Sequence, residues 1–158
     1  DDEICSFLET SDDRVADLFC GLGNFALPLA RLSRAAIGYE SIPSMVARAA
    51  ANAQASACDN IEFRVLDLFE AADQLPGDFD KVLLDPPRAG AKSVCEQLVK
   101  SKRLQRIVYV SCNPQTLVRD LGLLVAGGFV VEQAALVDMF PQTGHCEAVV
   151  RLSRPTTR

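Results

Sequence analysis

A thiol and a carboxylate stand at the ends of two apolar segments. Cys112 follows the strand-like run RIVYV in IVYVSCNPQTLVRDL, and Glu147 opens an otherwise apolar stretch in DMFPQTGHCEAVV. A thiolate adds to electron-poor carbon and a carboxylate removes protons. Replacing the hydrogen on C5 of a pyrimidine needs both groups: a nucleophile on C6 to make C5 electron-rich, and a base to take the C5 proton afterwards. Pro114 opens a helix-like stretch, and the positive amino end of a helix favours the thiolate of a cysteine set beside it. Asn113 and Pro114 read as shaping the turn that presents the thiol. Plainer readings compete: Cys112 as a buried, inert thiol, and His145, the sole histidine, as a rival base or as a loop residue supporting its turn.

Four more acids close four successive strand-like runs: Asp17 in RVADLFCGLGNF, Glu40 after AAIGY, Asp67 in FRVLDLF and Asp85 in VLLDPPR. Gly21 and Gly23 let the backbone approach a ligand, and a carboxylate after the second strand can accept both hydroxyls of a ribose. A Gly-X-Gly turn by itself also suits a tight turn or NAD. Asp17 separates these readings, because a pyrophosphate over the glycine turn would be repelled by a neighbouring carboxylate. S-adenosylmethionine carries a cationic ammonium and a sulfonium there instead. Asp67 is placed to accept from an adenine amino group. Asp67 and Asp85 each also fit a helix cap or turn, and Asp17 a cap for the glycine turn. The set of four at one edge points to an S-adenosylmethionine pocket. Asp85-Pro86-Pro87-Arg88 is similar to the motif with which amino-methyltransferases hold an exocyclic nitrogen. Its arginine replaces the stacking aromatic of that motif, which weakens an N-methylation reading.

The elements that must position these groups alternate. After a helical candidate over residues 1–9, strand candidates fall at 14–18, 35–39, 61–66, 80–84, 106–110, 129–137 and 146–152, with helical candidates at 23–33, 43–57, 68–74, 90–101 and 114–126. Strands alternating with helices predict an α/β fold, a mainly parallel seven-stranded sheet covered on both faces, with chemistry at the carboxyl ends of its strands. The fourth and fifth strands should be neighbours, which sets Cys112 over the same crevice as Asp85. No crossover helix fits between the last two strands, so they should pair antiparallel, with Pro141 and Gly144 keeping their connection irregular. Gly127 and Gly128 should stop the preceding helix, and SRPTTR reads as a frayed terminus.

Composition bounds the rest. The 158 residues suit one domain. No apolar run approaches the roughly 20 residues of a membrane helix, so a soluble, cytoplasmic domain with no membrane association is expected. The six cysteines form no Cys-X-X-Cys pair and no ligand-spaced cluster, so all are read as reduced and no metal site is expected. Cys20, Cys58 and Cys95 read as small packed hydrophobes. A net charge of −5 argues against a self-sufficient nucleic-acid binder.

Together DLFCGLGNFALPLA, DKVLLDPPRAGA, IVYVSCNPQTLVRD and DMFPQTGHCEAVV resemble the RNA uridine-C5 methyltransferases that make 5-methyluridine, above all the bacterial 23S ribosomal RNA enzymes, with the transfer RNA enzyme a near relative. The similarity runs from about residue 14 to residue 154. It implies a class I S-adenosylmethionine-dependent methyltransferase (Rossmann-like) fold, Cys112 as covalent nucleophile and Glu147 as proton-abstracting base. It also implies that Phe19, Asn24, Glu40, Asp67 and Asp85 contact the cofactor, with Gly21 and Gly23 in the same motif. Such enzymes typically carry an amino-terminal OB-like RNA-binding domain, an iron-sulfur cluster on a set of cysteines, and a central segment with a cofactor-contacting glutamine. None of these precedes Asp1, so residues 1–158 are expected to be a single catalytic domain that binds S-adenosylmethionine and, alone, methylates RNA poorly or not at all. Rival readings are a non-catalytic S-adenosylmethionine-binding module of RNA biogenesis and a nicotinamide oxidoreductase. RNA cytosine-C5 methylation is a third, but that family places a second cysteine near the fourth strand, where this chain has DPPR.

Overall fold

The apolar runs fold into seven strands: β1 (Arg14–Leu18), β2 (Ala35–Glu40), β3 (Ile61–Val65), β4 (Lys81–Leu84), β5 (Arg106–Ser111), β6 (Val130–Phe140) and β7 (His145–Ser153). Between or before them lie α1 (Asp2–Ser6), α2 (Ala26–Leu32), α3 (Pro43–Ala55), α4 (Lys92–Leu98) and α5 (Pro114–Ala126). The structure is a computed structural model that describes residues 2–6, 8–9, 11–140 and 145–155. All seven strands join one sheet in the order β3-β2-β1-β4-β5-β7-β6. Strands β1 to β5 pair in parallel, whereas β7 pairs antiparallel with both β5 and β6. The expected doubly wound sheet with an antiparallel last strand is therefore the one found. The chain steps outward from β1 to β3, then returns to lay β4 on the other side of β1. Such a reversal opens a crevice at the carboxyl edge between the two strands.

Period-two alternation sorts the strand residues onto two covered faces. Leu18, Val82, Leu84, Ile107 and Tyr109 pack with residues of α4 and α5, and Val15, Leu83, Val108, Val110 and Val149 pack with Ile4, Cys5 and Leu29 on the other side. Helix α3 buries only Ala49 and Ala53. Small side chains there let it lie close against the outer strands.

The helices expected over 1–9 and 43–57 are found at Asp2–Ser6 and Pro43–Ala55, and three others are cut short for local reasons. The one expected from residue 23 begins at Ala26, because Gly23, its expected first residue, holds φ of +87°, a conformation no α-helix contains. The one expected over 68–74 is a turn followed by a 3-10 turn, Ala72–Gln74. Asp67 Oδ1 accepts the amides of Phe69 and Glu70 at 2.9 and 3.3 Å, an arrangement that competes with helix. The one expected over 90–101 is confined to Lys92–Leu98, behind Gly90 at φ +78°. Pro141 and Gly144 lie outside the described residues. Among those described, no helix is long and apolar enough to cross a membrane.

Arg154, just past β7, gathers the ends of several elements. Its guanidinium donates to the carbonyls of Leu104, Val99 and Ser101 at 3.1, 2.9 and 2.9 Å and lies 4.4 Å over the Phe129 ring. Arg154→Ala should lower stability by about 3 kcal/mol, since charge-assisted hydrogen bonds and a cation-π contact are lost together. A thermal melt should show a drop of roughly 6–12 °C; an unchanged midpoint would refute the assignment.

Candidate functional site

At the carboxyl edge, the end of β1 turns sharply under the crevice. Gly23 donates to the Cys20 carbonyl at 2.9 Å, closing the glycine turn, and the Gly21 amide donates to Glu40 Oε2 at 3.1 Å. Glu40 thereby fixes the turn with one oxygen. A side chain at Gly23 would combine an unfavourable φ of +87° with a Cβ only 3.3 Å from the Phe63 ring. Asn24 is exposed in this turn.

A cavity of about 310 Å³ lies beyond the ends of β1 to β4, lined by Phe19, Glu40, Ser41, Asp67, Phe69 and Asp85, with Pro86 and Pro87 closing one side. The Phe19 and Phe69 rings meet there, tilted at 55° with centroids 5.6 Å apart. Four of the residues named from sequence thus converge on one cavity. Ser41 and Phe69 were not singled out. Phe69 had a signal, an aromatic just past a strand-end acid, that was absorbed into an expected helix; in the structure it is 47% exposed at the cavity.

Asp17 is 2% exposed and its carboxylate has no well-formed hydrogen bond, although the Ala26 amide at the start of α2 lies near enough to favour its charge. Burial foremost, then the nearby Asp85 and Glu40 carboxylates, push it well above the usual carboxylate range. Asp85 is pushed up to about 7, by burial first and then by Glu147. Among the described residues, the ion pairs engage Asp12, Asp13, Asp78, Asp80, Asp120, Glu9, Glu62 and Glu132, and none reaches Asp17, Glu40, Asp67, Asp85 or Glu147. Buried negative charge without a base is costly, and a cation placed in the crevice would relieve it.

Cys112 follows β5 and is exposed, not buried as the inert-thiol reading requires. Cys20 and Cys95 are buried, and desolvation pushes both thiols far up, out of nucleophilic range; Cys58 is partly buried. Asn113 caps α5, its Oδ1 accepting the Gln115 amide at 3.1 Å, and Ser111 Oγ accepts the Asn113 amide at 3.1 Å. These contacts fix the turn that carries the thiol. The β5–β7 register ends with Ser111 opposite Ala148, so Cys112 and Glu147 are the next residues beyond the last paired position on each strand. Glu147 is half-buried, with Oε2 enclosed and unpartnered, and burial raises its carboxyl. The side chain of His145, the rival base, lies outside the described ones.

The arrangement combines an exposed thiol just past β5, a carboxylate of raised basicity near the start of the neighbouring β7 and an acid-lined cavity. The model of the tRNA (uracil-5-)-methyltransferase family matches residues 2–155. The chain is similar to the 23S rRNA (uracil(1939)-C(5))-methyltransferase RlmD of Xanthomonas axonopodis, 51% identical over 147 residues that cover 90% of this chain and 33% of that protein. The protein of the same name from Photobacterium angustum is 49% identical over 87% of this chain and 63% of its own length. The chain thus spans about a third of the former relative and under two thirds of the latter. The crystal structure of Pyrococcus abyssi tRNA (uracil-54, C5)-methyltransferase in complex with S-adenosyl-L-homocysteine superposes with a TM-score of 0.80 at 32% identity, covering 95% of this chain and 36% of that one. Magnesium protoporphyrin IX methyltransferase of Synechocystis, with a TM-score of 0.77 at 21% identity over 98% of this chain and 77% of that one, shares the class I methyltransferase fold. On the match of nearly its whole length, the chain belongs to the tRNA (uracil-5-)-methyltransferase family.

Proposed function

We propose that this domain, as the catalytic part of a longer cytoplasmic protein, methylates C5 of a uridine in 23S ribosomal RNA with S-adenosylmethionine. The observation that supports the reading is the β5–β7 pairing, whose last pair, Ser111 with Ala148, immediately adjoins Cys112 and Glu147, with Glu147 close enough to Asp85 at the acid-lined crevice to raise its carboxyl. The curated relatives of about half-identical sequence, named for 23S rRNA, support ribosomal RNA as the target. The family's own description and the Pyrococcus structure support transfer RNA as a second reading. The net charge of −5 supports an RNA grip supplied mostly by other parts of that longer protein.

S-adenosylmethionine fits the residues present. The buried Asp17 carboxylate, with no ion-pair partner among the described residues, suits a cation, the turn of Gly21 and Gly23 admits a ligand backbone-close, and Phe19 and Phe69 offer faces to an adenine. Glu40 would hold the ribose hydroxyls and Asp67 the adenine amino group, with Asn24 and Asp85 completing the set. When bound, the cofactor supplies a methyl group made electrophilic by its positive sulfur.

The protein's own groups handle the uracil. The Cys112 sulfur bonds to C6, and the C5=C6 electron pair moves onto C5 and the O4 carbonyl. Once C5 bears both its hydrogen and the new methyl, Glu147 takes the proton. The C5–H electrons then re-form the C5=C6 bond and the C6–S bond breaks, returning the sulfur as thiolate. The burial that raises Glu147 makes it the stronger base for that step.

RNA carrying 5-fluorouridine tests the reading, because C5 then bears fluorine in place of the hydrogen that Glu147 removes. With full-length protein and cofactor, mass spectrometry of proteolysed material should find the modified nucleotide linked at Cys112. No adduct on ribosomal or transfer RNA would leave only a cofactor-binding module.

A further inference from the structure

The start of α5 grips the loop between β4 and α4 at successive points. Asn113 Nδ2 and the Thr116 hydroxyl both donate to the Arg88 carbonyl, at 2.9 and 3.0 Å. Arg119 Nη2 donates to the Ala89 carbonyl at 3.0 Å, and Asp120 Oδ2 accepts the Ala91 amide at 2.7 Å. Between these contacts Gly90 sits at φ +78°, where a Cβ would lie 2.7 Å from the Arg119 guanidinium and 2.8 Å from Asp120 Oδ2. The two segments meet with no room for a side chain.

Asp120 is the centre of this grip. It is fully buried at 0% exposure, and beyond Ala91 it accepts from the Tyr109 hydroxyl through Oδ2 and from Arg119 Nε through Oδ1 at 3.0 Å. Tyr109 lies on β5, Ala91 on the loop that begins with Asp85, and Asp120 on the helix that follows Cys112, so one carboxylate joins three segments of the site. Packing on the buried face of α5, between Leu117 and Leu124, asks for no charge there, but the Ala91 amide and the Tyr109 hydroxyl would be left buried without an acceptor if the carboxylate were absent. What a buried, fully hydrogen-bonded carboxylate adds is a fixed geometry.

We propose that Asp120 is a positioning residue for the reaction: its carboxylate sets the spacing between the Asp85 loop and the Cys112 turn, so that the nucleophile and the acid edge of the crevice hold one geometry. The inference rests on Cys112 attacking a base lodged at that crevice. A misplacement of about 1 Å remote from the chemistry is enough to cost two orders of magnitude in rate.

Asp120→Asn keeps the shape and can still accept from Ala91 and Tyr109, but it turns an NH₂ towards the Arg119 Nε–H. The test is the rate of adduct formation between full-length protein and 5-fluorouridine RNA with cofactor present, per folded molecule and well below the melting temperature. Asp120→Asn should be about 30- to 100-fold slower at saturating RNA, with apparent RNA affinity within about threefold of wild type. If that variant fails to fold, Thr116→Val carries the test and should be about 3- to 10-fold slower in the same way. A purely structural role would lower the melting temperature and leave the rate per folded molecule unchanged, and that result overturns the proposal. Wild-type protein that forms no adduct overturns the underlying reading, and this one with it.

Discussion

Cys112→Ala is expected to abolish methylation by the full-length protein, a loss of about 10⁵-fold or more, while cofactor affinity stays within about twofold of wild type. The magnitude follows from the role: without the sulfur on C6 the pyrimidine C5 has no electron pair to offer, and no other described cysteine can substitute. Cys5, Cys20 and Cys95 are buried, and Cys58 follows α3, the helix that packs on the outer strands. Cofactor affinity survives because Cys112 does not line the cavity of Phe19, Glu40 and Asp85. Glu147→Gln should behave differently, completing the addition and methylation but stalling before proton loss, so that a methylated RNA–protein adduct accumulates. Denaturing electrophoresis with labelled RNA separates the cases. Residual turnover by Cys112→Ala above about 1% of wild type would remove the thiol from the mechanism.

Asp85→Asn is expected to stabilise the protein without cofactor at pH 8 while weakening cofactor binding at the same pH. Folding raises this carboxyl from its ordinary 3.8 to about 7, by burial and then by Glu147. A group whose pKa rises on folding contributes its stability fully below pH 4 and loses it as pH climbs to about 7. A shift of about three units corresponds to at most about 4 kcal/mol. Wild-type protein should therefore melt lower at pH 8 than at pH 5, and Asp85→Asn should remove a large part of that difference, leaving the share of Asp17. A cationic ligand reverses the preference, because it favours the ionised carboxylate. Wild-type affinity for S-adenosylmethionine should rise up to about tenfold per pH unit below 7 and level off above it, whereas the variant should follow a flatter profile. Calorimetric titration between pH 5.5 and 8 reads this directly, and equal slopes in the two proteins would refute the linkage.

Much of the scaffold could be read before any coordinate. Buried parallel strands announce themselves as apolar runs, and Asp17, Glu40, Asp67 and Asp85 sit at strand ends because a carboxyl edge is where a doubly wound sheet exposes its chain. The overextended helices failed where a single residue outvotes periodicity: positive φ at Gly23 and Gly90, and the side-chain turn of Asp67. Glu147 was recognisable as an acid out of place in an apolar strand. Its arrival beside the end of β5 depends on β7 entering between β5 and β6, a pairing of residues far apart in the chain that no local pattern encodes. Asp120 was less legible still. An acid on a helix reads as a solvated face, and only the arrival of the Ala91 loop and Tyr109 turns it inward.

The place of β7 also sets an order of assembly. On a ribosome the chain emerges with β1 to β5, every strand-end acid and the thiol already made, but the carboxylate partner arrives on the strand synthesised after all the others. Until then β5 and β6 each present an unpaired edge towards the gap that β7 will fill, and open edges are templates for wrong pairing. On the proposed mechanism, a nascent form of this domain would hold its nucleophile without its base. The step that closes the sheet is the same step that completes the site, so a molecule able to finish the reaction is also one whose edge has been sealed.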